Sequence, residues 1–514
     1  MAVLAVVLAA GALLVSGGSS SGPRTPAGLP GLPPPFLGVA VVGGGELTAA
    51  IDAYGAVVDL RPVPAGPGLI ENPVTPQTAG TVPADTGIVP RLRLGDGRAL
   101  PFWRADAIAH RYLPGTNVVV TTARFGRLQA AVTYAGGRET LACVTEVSGP
   151  AGGAAVELSA ESATAAARLR CDTAQARAAV ERAKRADRRW LRASVPLGAA
   201  APAWAEQLHG RSLLVLRALT DRHSGAVAAG ARDGWAYVWP RDAGTAALAF
   251  AAAGHRGEAR RVARFLGRLD LSAAARFHGD GTPVPGREAQ GDAAGWVAVA
   301  ARAAGLAPED AGAGDPSRAR AAAGHAPGWR DRPDYQEKAP GDFLGNAIAA
   351  TASGDPARAS GTAIASRFGE RGALVRVADD SDSGTDSAAA WAVRPFPLPG
   401  LSTPARASLR RLLASGGRFG IVPSADWPEA DPWTAPTAWS AWAFAALARD
   451  DRDPSLARAD RRAALALLAA LRRAATPTGA LPERVDAQTG APRSTTPLVW
   501  SHAFAILALR ELWP

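Results

Sequence analysis

A chain of 514 residues is long enough for more than one domain, or for one large domain with a smaller companion. Its hydrophobic content of 47% is typical of a protein that buries a core, and its 7 histidines and 2 cysteines show no spacing typical of a metal site. The net charge of +10 comes from arginines scattered through alanine-rich segments, so we expect solvated helix faces and exclude nucleic acid as a partner.

The N-terminus divides into an apolar segment and a polar one. Residues 1–17 have the length and apolarity of a signal peptide but no basic residue before the apolar run, which predicts an export signal or a membrane anchor. Residues 18–36 are rich in Gly, Ser and Pro, which is typical of a linker. We therefore expect an extracytoplasmic protein, secreted or membrane-anchored. In it, Cys143 and Cys171 form one disulfide or remain two buried thiols.

Short alternating apolar runs fill the next part of the chain. Over residues 37–172 they are separated by turn residues, which predicts an antiparallel β-sandwich. This region has no carboxylate cluster and no metal spacing, so we interpret it as a structural module. The strongly charged helical pattern within residues 173–200 predicts a linker helix between this domain and the next.

A helical period of 3.6 dominates residues 201–514. Helices are predicted near 202–220, 242–254, 256–269, 292–304, 315–324, 341–352, 355–368, 384–392, 403–415, 433–449, 454–474 and 497–512. About a dozen helices in pairs predict an all-α toroid with an inner and an outer ring, whose loops at one end build a pocket. A solenoid of helix pairs is the alternative, but the sequence shows no repeat of fixed period.

The segment Gly234–His255 combines aromatic residues with a charged pair. Pro240 disfavours helix in the residue before it, and helical spacing begins at Asp242, so we predict that Asp242 caps a helix. Trp239 and Arg241 are then at a loop-to-helix junction, where an aromatic face suits a sugar ring and charged groups suit its hydroxyls. The alternative interpretation is a helix cap with a surface ion pair.

Three further loops place acidic residues beside aromatic ones. They are PDYQEK at 333–338, the loop from Asp426 with Glu429, Asp431 and Trp433, and the segment 479–504, with Glu483 and Asp486 in a loop and Trp500 and His502 in the final predicted helix. Paired carboxylates near aromatic residues suit the cleavage of a glycosidic bond, since one protonates the leaving oxygen and the other activates water or attacks. We expect His502 to be a structural hydrogen-bonding residue.

Several of these motifs resemble those of glycoside hydrolase family 15, the glucoamylase family. They are YVWPRD at 237–242, WPEADPW at 427–433, and LPERVDAQTG with STTPLVWSHAF at 481–504. The resemblance is to prokaryotic members, and it implies an N-terminal β-sandwich ahead of an (α/α)6 barrel. It extends from about residue 37 to the C-terminus, with the β half matched only in general character.

The resemblance implies roles for particular residues. Glu483 is the expected general base. The D-x-W-E motif of the family, which holds its general acid, corresponds to 334–337 and makes Glu337 the expected acid, although Gln336 replaces the motif's Trp and Lys338 its following acid. We expect Lys338 to point to solvent. The other residues that the resemblance assigns to substrate binding are Trp239, Arg241, Asp242, Asp334, Glu429, Trp433 and Trp500. Glu288 and Glu429 are alternative acids.

The resemblance also implies an activity. We expect an inverting, exo-acting hydrolase that releases glucose from the non-reducing ends of α-glucans, as a monomer without metal or cofactor. In such enzymes a desolvated acid and a base lie about 6.5–9.5 Å apart, with one water between them. The alternatives are a trehalase or glucodextranase-type α-glucosidase, a phosphorylase of related toroid fold, and a catalytically degenerate glycan-binding protein of the cell envelope.

Overall fold

A computed structural model describes residues 39–71, 87–150, 152–160, 163–232, 234–306, 328–337, 340–353 and 360–514. The predicted signal or anchor at 1–17, the linker at 18–36, the helix at 315–324 and Lys338 lie outside the described residues. Within them, no helix has the length and apolarity needed to cross a membrane.

The N-terminal part forms a seven-stranded and a five-stranded sheet. The strands are β1 (Ala40–Val42), β2 (Thr48–Ile51), β3 (Val57–Arg61), β4 (Ile70–Glu71), β5 (Ile88–Arg93), β6 (Ala99–Pro101), β7 (Ala107–Tyr112), β8 (Val119–Phe125), β9 (Leu128–Gly136), β10 (Leu141–Ser148), β11 (Ala155–Ala160) and β12 (Leu169–Cys171). The first sheet has the order β1-β2-β3-β5-β11, with β4 on β3 and β6 on β5, and the second has the order β12-β10-β9-β8-β7.

The pairing is antiparallel as predicted, except at one edge. There β12 runs parallel to β10, because the chain crosses to the other sheet as β11 and then returns in the direction of β10. This register sets Cys143 beside Cys171, with their Cα atoms 4.4 Å apart, and a disulfide joins the two strands. Of the two alternatives for these cysteines, the structure contains the disulfide.

Strands β1, β2 and β3 of the first sheet are buried on both faces. Successive residues of a strand point to opposite sides, and in β1 Val41 joins a core shared with the helices while Ala40 and Val42 join the core between the sheets. By contrast, β7 alternates buried and exposed residues, as expected of a strand with one face in water. The β part and the helical part therefore share a core across this sheet.

The α-helices take up most of the second half. They are α1 (Ala163–Ala166), α2 (Ala174–Arg192), α3 (Ala203–Leu219), α4 (Pro240–Ala252), α5 (Arg256–Leu266), α6 (Ala293–Ala303), α7 (Leu344–Ala350), α8 (Gly361–Phe368), α9 (Ser402–Ser415), α10 (Thr434–Asp450), α11 (Pro454–Ala474) and α12 (Val499–Leu512). Short 3-10 helices span Phe102–Arg104, Ser381–Ser383 and Ser387–Ala392, and a small hairpin consists of β13 (Gly369–Glu370) and β14 (Ala373–Leu374).

A closed cycle of contacts organises the helical part. Helix α4 contacts α6, which contacts α7; α7 contacts the 3-10 helix Ser387–Ala392, which contacts α10; α10 contacts α12, and α12 contacts α4. Helices α4, α10 and α12 are apolar and buried on nearly every side, as expected of enclosed helices. Amphipathic α5 and α11 pack outside the cycle against α4 and α10, with buried residues on one face.

Two local predictions are wrong. Helix α4 begins at Pro240 and its N-cap residue is Trp239, so Asp242 lies in the first turn and does not cap the helix. Proline suits the first helical position, because its missing N–H is not needed there and its φ is already helical. The predicted helix at 384–392 is the 3-10 helix Ser387–Ala392, which the side chain of Asp386 caps through the N–H of Ala388.

Candidate active site

A cavity of about 330 Å³ lies where the N-terminal ends of α4, α10 and α12 meet. The residues that line it are Ala229, Trp235, Trp239, Arg241, Asp242, Arg287, Tyr335, Gln336, Glu337, Trp427, Glu429, Trp433, Glu483, Arg484, Ser494, Leu498 and Trp500. Helix N-termini present free N–H groups and partial positive charge, which suits a site rich in carboxylates. The structure thus brings together all the predicted site residues except Asp334.

Backbone hydrogen bonds hold the loop that carries Glu483 against two helix starts. The N–H of Thr434, at the beginning of α10, donates to the carbonyl of Glu483 at 2.9 Å, and the N–H of Glu483 donates to Thr495 at 2.9 Å. The N–H of Leu498, the residue before α12, donates to the carbonyl of Leu481 at 2.9 Å. The carboxylate of Glu483 is therefore presented from a fixed backbone.

Neutral donors surround the carboxylate of Glu483. The hydroxyl of Ser494 donates to Oε2, and the indole of Trp235 also donates to the carboxylate. Burial raises the pKa of Glu483, while the hydrogen bonds from these donors and the nearby Arg484 oppose the rise. Hydrogen bonds that favour the charged form keep a buried carboxylate available as a base.

Glu337 occupies a different environment. Its Oε1 accepts hydrogen bonds from Nε1 of Trp239 and Nε2 of Gln290, each at 3.3 Å, and its other oxygen forms an ion pair with Arg287. The side chain is 31% exposed. Its backbone has a φ of 56°, a left-handed conformation that costs energy in a non-glycine residue. The cation beside Glu337 in the described chain is thus Arg287, which we did not predict.

Arg241 and Asp242 are both buried, so the alternative of a surface ion pair is wrong. Nη1 of Arg241 donates to Asp292 at 2.7 Å and to Gln290 at 2.9 Å, and its guanidinium lies 4.8 Å from the ring centre of Trp500. Burial raises the pKa of Asp242 to about 7, which Arg241 opposes and the nearby Glu483 and Asp292 reinforce. Arg241 is therefore fixed by Asp292, while the carboxylate of Asp242 faces the cavity.

Asp334 lies behind the cavity, contrary to the prediction that it contacts substrate. Its carboxylate accepts from Nη2 of Arg376 at 2.7 Å and from the N–H of Gln336 at 3.0 Å, and it is 1% exposed. The same arginine donates to Asp386 at 3.2 Å, and the hydroxyl of Tyr335 donates to Asp386 at 2.8 Å. A buried network of charges thus fixes the turn that presents Glu337.

Of the two predicted residues at the rim, Glu429 is exposed and Trp433 is buried. Glu429 forms an ion pair with Arg484, and its side chain is 51% exposed. Trp433 packs edge-on against Trp427 with ring centres 4.9 Å apart. The other alternative acid, Glu288, is exposed and lies outside the lining.

Some residues that shape the site were not predicted. Gln290 and Asp292 lie just before α6, as Trp239 lies just before α4 and Trp433 just before α10, so that pattern could have indicated them. Arg287 and Arg376 carry no such signal. His502 is a structural residue as predicted, bonded to Ser212 at 2.9 Å and to the N–H of Leu481 at 3.0 Å.

The fold has counterparts among solved structures. A bacterial glucoamylase complexed with acarbose is 12% identical, covers 95% of this chain and 96% of its own, and has a TM-score of 0.67. A wild-type glycosidase is 21% identical, covers 60% of this chain and 97% of its own, and has a TM-score of 0.47. A glucoamylase from Saccharomycopsis fibuligera is 14% identical, covers 60% of this chain and 93% of its own, and has the same TM-score. These two scores are too low to support a conclusion about the fold. Neither family models nor curated proteins match the sequence. The chain therefore has a glucoamylase-like fold along nearly its whole length.

Proposed function

We propose that the protein is an inverting glycoside hydrolase of the glucoamylase type, which releases glucose from the non-reducing ends of α-glucans. Glu337 is the general acid and Glu483 the general base. The observation that carries this proposal is that two glutamates from distant loops line one cavity together with Trp239 and Trp500. Paired carboxylates beside aromatic faces are the groups that this chemistry requires.

The fold supports a saccharide as the substrate. The closed cycle of contacts from α4 through α12 is what the inner ring of an (α/α)6 barrel requires, and we propose that architecture for the helical part. A bacterial glucoamylase of the same fold was crystallised with acarbose. The residues that would meet a sugar in this chain lie at the ends of these helices, where the cavity opens.

The proposed reaction conserves protons. Glu337 gives its proton to the glycosidic oxygen as the bond from that oxygen to C1 breaks, and the bonding electrons leave with the oxygen. A water attacks C1 from the opposite face and gives its proton to Glu483. The products are the shortened glycan and glucose of inverted configuration. Ser494 and Trp235 hold the base in its ionised form through their hydrogen bonds.

The polar groups deep in the cavity suit the terminal sugar. Among the described residues, Nε of Arg241 and Nε1 of Trp500 are buried without a hydrogen-bond partner. Buried donors are normally satisfied, so a bound ligand would supply the missing acceptors. Together with the carboxylate of Asp242, they would bind sugar hydroxyls. The volume of about 330 Å³ is near the lower end of the usual range for ligand sites, which supports action on a chain end.

The test is glucose release from maltooligosaccharides, trehalose and isomaltose by the parent protein and by Glu337→Gln and Glu483→Gln. We expect one class of substrate to give β-glucose first, as seen by proton NMR before mutarotation, and both variants to be inactive. Release of α-glucose would contradict the inverting mechanism. The preferred linkage would decide between an α-1,4-glucan, trehalose and an α-1,6-glucan as substrate.

A second candidate is a glycan-binding protein that does not hydrolyse its ligand. The ion pair between Arg287 and Glu337 favours it, because an adjacent guanidinium stabilises the carboxylate form and disfavours the protonated acid. Saturable binding of maltose or trehalose by the parent protein, measured by calorimetry and without any glucose release, would support this candidate.

We also propose an extracytoplasmic location. The disulfide between Cys143 and Cys171 is typical of oxidising compartments, and the apolar residues 1–17 are consistent with export. Fractionation of cells that make the full chain tests this, with protein found only in the cytosol as the contrary result.

A further inference from the structure

We propose that Arg287 makes this site selective for α-glucosides whose leaving group carries an anion, such as a carboxylate or a phosphate. This inference rests on the proposed function, in which the terminal glucose lies deep in the cavity and the leaving group lies beside the general acid. It adds a substrate class and a residue that recognises it.

The position of Arg287 is the first argument. Its side chain lines the cavity, is 36% exposed, and forms an ion pair with Glu337. Its guanidinium is 5.9 Å from the ring centre of Trp239, whose indole donates to the same carboxylate. A general acid must contact the oxygen of the leaving group. A guanidinium that touches this acid is therefore within reach of substituents on that group.

Arg287 differs from the neighbouring guanidiniums in the partner that it contacts. Arg484 forms an ion pair with the rim residue Glu429. Arg276 donates to the carbonyl of Gly234 at 3.0 Å and lies 4.7 Å from the ring centre of Tyr237. Arg287 differs from both, because the carboxylate with which it pairs is the proposed acid itself.

Apart from its ion pair with Glu337, Arg287 has surroundings that disfavour its positive charge. Burial lowers the pKa of Arg287, and the positive charge of Arg276 lowers it further, while Glu483 opposes the change. An incoming anion would stabilise the guanidinium, and arginine binds carboxylates and phosphates through two parallel hydrogen bonds. The site thus gains more from an anionic leaving group than from a neutral one.

Binding of an anion to Arg287 would also favour protonation of Glu337, because Arg287 would leave Glu337 for the new partner. Once an anion takes Arg287, Glu337 loses the charge that stabilises its ionised form and can take up a proton from solvent. It then gives that proton to the leaving oxygen as the bond to C1 breaks, and Glu483 accepts the proton of the attacking water. With a neutral leaving group the ion pair persists in more of the protein, so Glu337 is protonated less often and cleavage is slower.

The test uses two ligands that differ in one charged group. Maltobionate and maltitol both carry an α-1,4-linked glucose on an open-chain residue, which ends in a carboxylate in the first and an alcohol in the second. Binding is measured by calorimetry in Glu483→Gln, where hydrolysis is blocked, and in the same variant with Arg287→Gln or Arg287→Lys. Trehalose and trehalose 6-phosphate repeat the comparison with a phosphate.

We expect maltobionate to bind roughly tenfold more tightly than maltitol, as for a partly buried charge pair. Arg287→Gln should abolish the difference, Arg287→Lys should keep part of it, and the control Arg98→Gln, on an exposed turn of the β part, should leave it unchanged. Equal binding of the two ligands, or a preference that survives in Arg287→Gln, would overturn the inference.

Rates with the parent protein separate this inference from the proposed function. A preference for maltobionate in binding without glucose release from any substrate would leave the inference standing and reject the hydrolase. Glucose release with no preference for the anionic ligand would overturn the inference and leave the proposed hydrolase standing. Cleavage of maltose that requires inorganic phosphate and yields glucose 1-phosphate would also overturn the inference, because Arg287 would then serve the attacking group.

Discussion

The two carboxylates at the centre of the cavity have opposite surroundings. Glu483 is partly buried, accepts hydrogen bonds from the neutral donors Ser494 and Trp235, and has a pKa that burial raises. Glu337 is more open to solvent, sits on a left-handed backbone residue, and pairs with the cation of Arg287. In a glycosidase the acid normally has the environment that favours protonation. In the free protein, burial raises the pKa of the proposed base, whereas the proposed acid pairs with a cation that favours its ionised form.

In the free protein, the surroundings of Glu337 therefore do not favour acid catalysis. The base needs no further change, since the hydrogen bonds from its neutral donors favour the carboxylate form. The acid needs its cation to leave. The roles proposed for the two glutamates can therefore be separated by changes that act on one of them alone.

The largest effect should come from removing each carboxylate. We expect Glu337→Gln and Glu483→Gln each to lower kcat on a natural α-glucan by roughly 10²–10⁴-fold. The decisive substrate is α-glucosyl fluoride, because its fluoride leaving group needs no proton. It should restore most of the rate to Glu337→Gln and none to Glu483→Gln, as measured by fluoride release. Equal restoration in both variants would contradict the assignment of roles.

The buried network behind Glu337 should have the next largest effect. Arg376→Met removes the cation that pairs with Asp334 and Asp386 and leaves buried carboxylates unpaired, so we expect a loss of about 3–5 kcal/mol in the free energy of unfolding. Denaturant titration measures it. The matched control is Arg394→Met, whose partner Asp450 is half exposed and whose loss should cost about 0–1 kcal/mol. A similar loss of unfolding free energy in both variants would mean that the buried charge network does not stabilise the fold.

Removing the charge of Asp242 should lower the activity and raise the free energy of unfolding. Its folded-state pKa of about 7 exceeds the ordinary value of 3.8, so the folded chain holds the proton more tightly and the free energy of unfolding falls as pH rises from 3.8 to about 7. We expect Asp242→Asn to stabilise the fold by about 1–3 kcal/mol above this range and by much less below it. Activity should fall by about 10–100-fold.

Thermal unfolding at acidic and alkaline pH measures the stability part of this prediction. Asp96→Asn, on an exposed turn, is the control and should show no such gain at alkaline pH. A destabilised Asp242→Asn at alkaline pH would mean that its carboxylate contributes favourably to the fold, contrary to the effect of its burial.

The smallest effect should come from Ser494→Ala. The hydroxyl of Ser494 stabilises the ionised form of Glu483, so its loss should raise the pKa of the base and move the acidic limb of the kcat/KM profile to higher pH. We expect a decrease of roughly two- to tenfold at acidic pH and little change at neutral pH. Ser159→Ala in β11 is the control. An unchanged profile would show that Glu483 does not limit that limb.

The sequence could predict the helices well because long segments have helical spacing of apolar residues, whether one face is buried, as in α11, or nearly every side, as in α10. The helix expected at 433–449 is α10 at Thr434–Asp450, and that expected at 454–474 is α11 at the same bounds. The predicted site residues share a second local feature, since aromatic residues and acids precede buried helices, and the fold brings the ends of those helices together.

What could not be predicted depends on contacts between distant segments. Arg287 and Glu337 lie in different loops, and only the packing of α6 and α7 decides that they meet. Asp334 belongs to the motif that suggested a substrate contact, but Arg376 from a later segment holds it behind the cavity. The parallel edge strand β12 likewise follows from a crossing between sheets, which alternating hydrophobicity does not encode.

The sheet that faces both cores has a consequence for how the protein unfolds and for how it can be divided. Because neighbouring residues of β1 enter different cores, the strand cannot leave one without opening the other. Heating should therefore give a single cooperative transition in calorimetry, and a chain shortened to its helical part should expose an apolar surface and aggregate. The β part would then serve as a permanent cover for an apolar surface of the helical part.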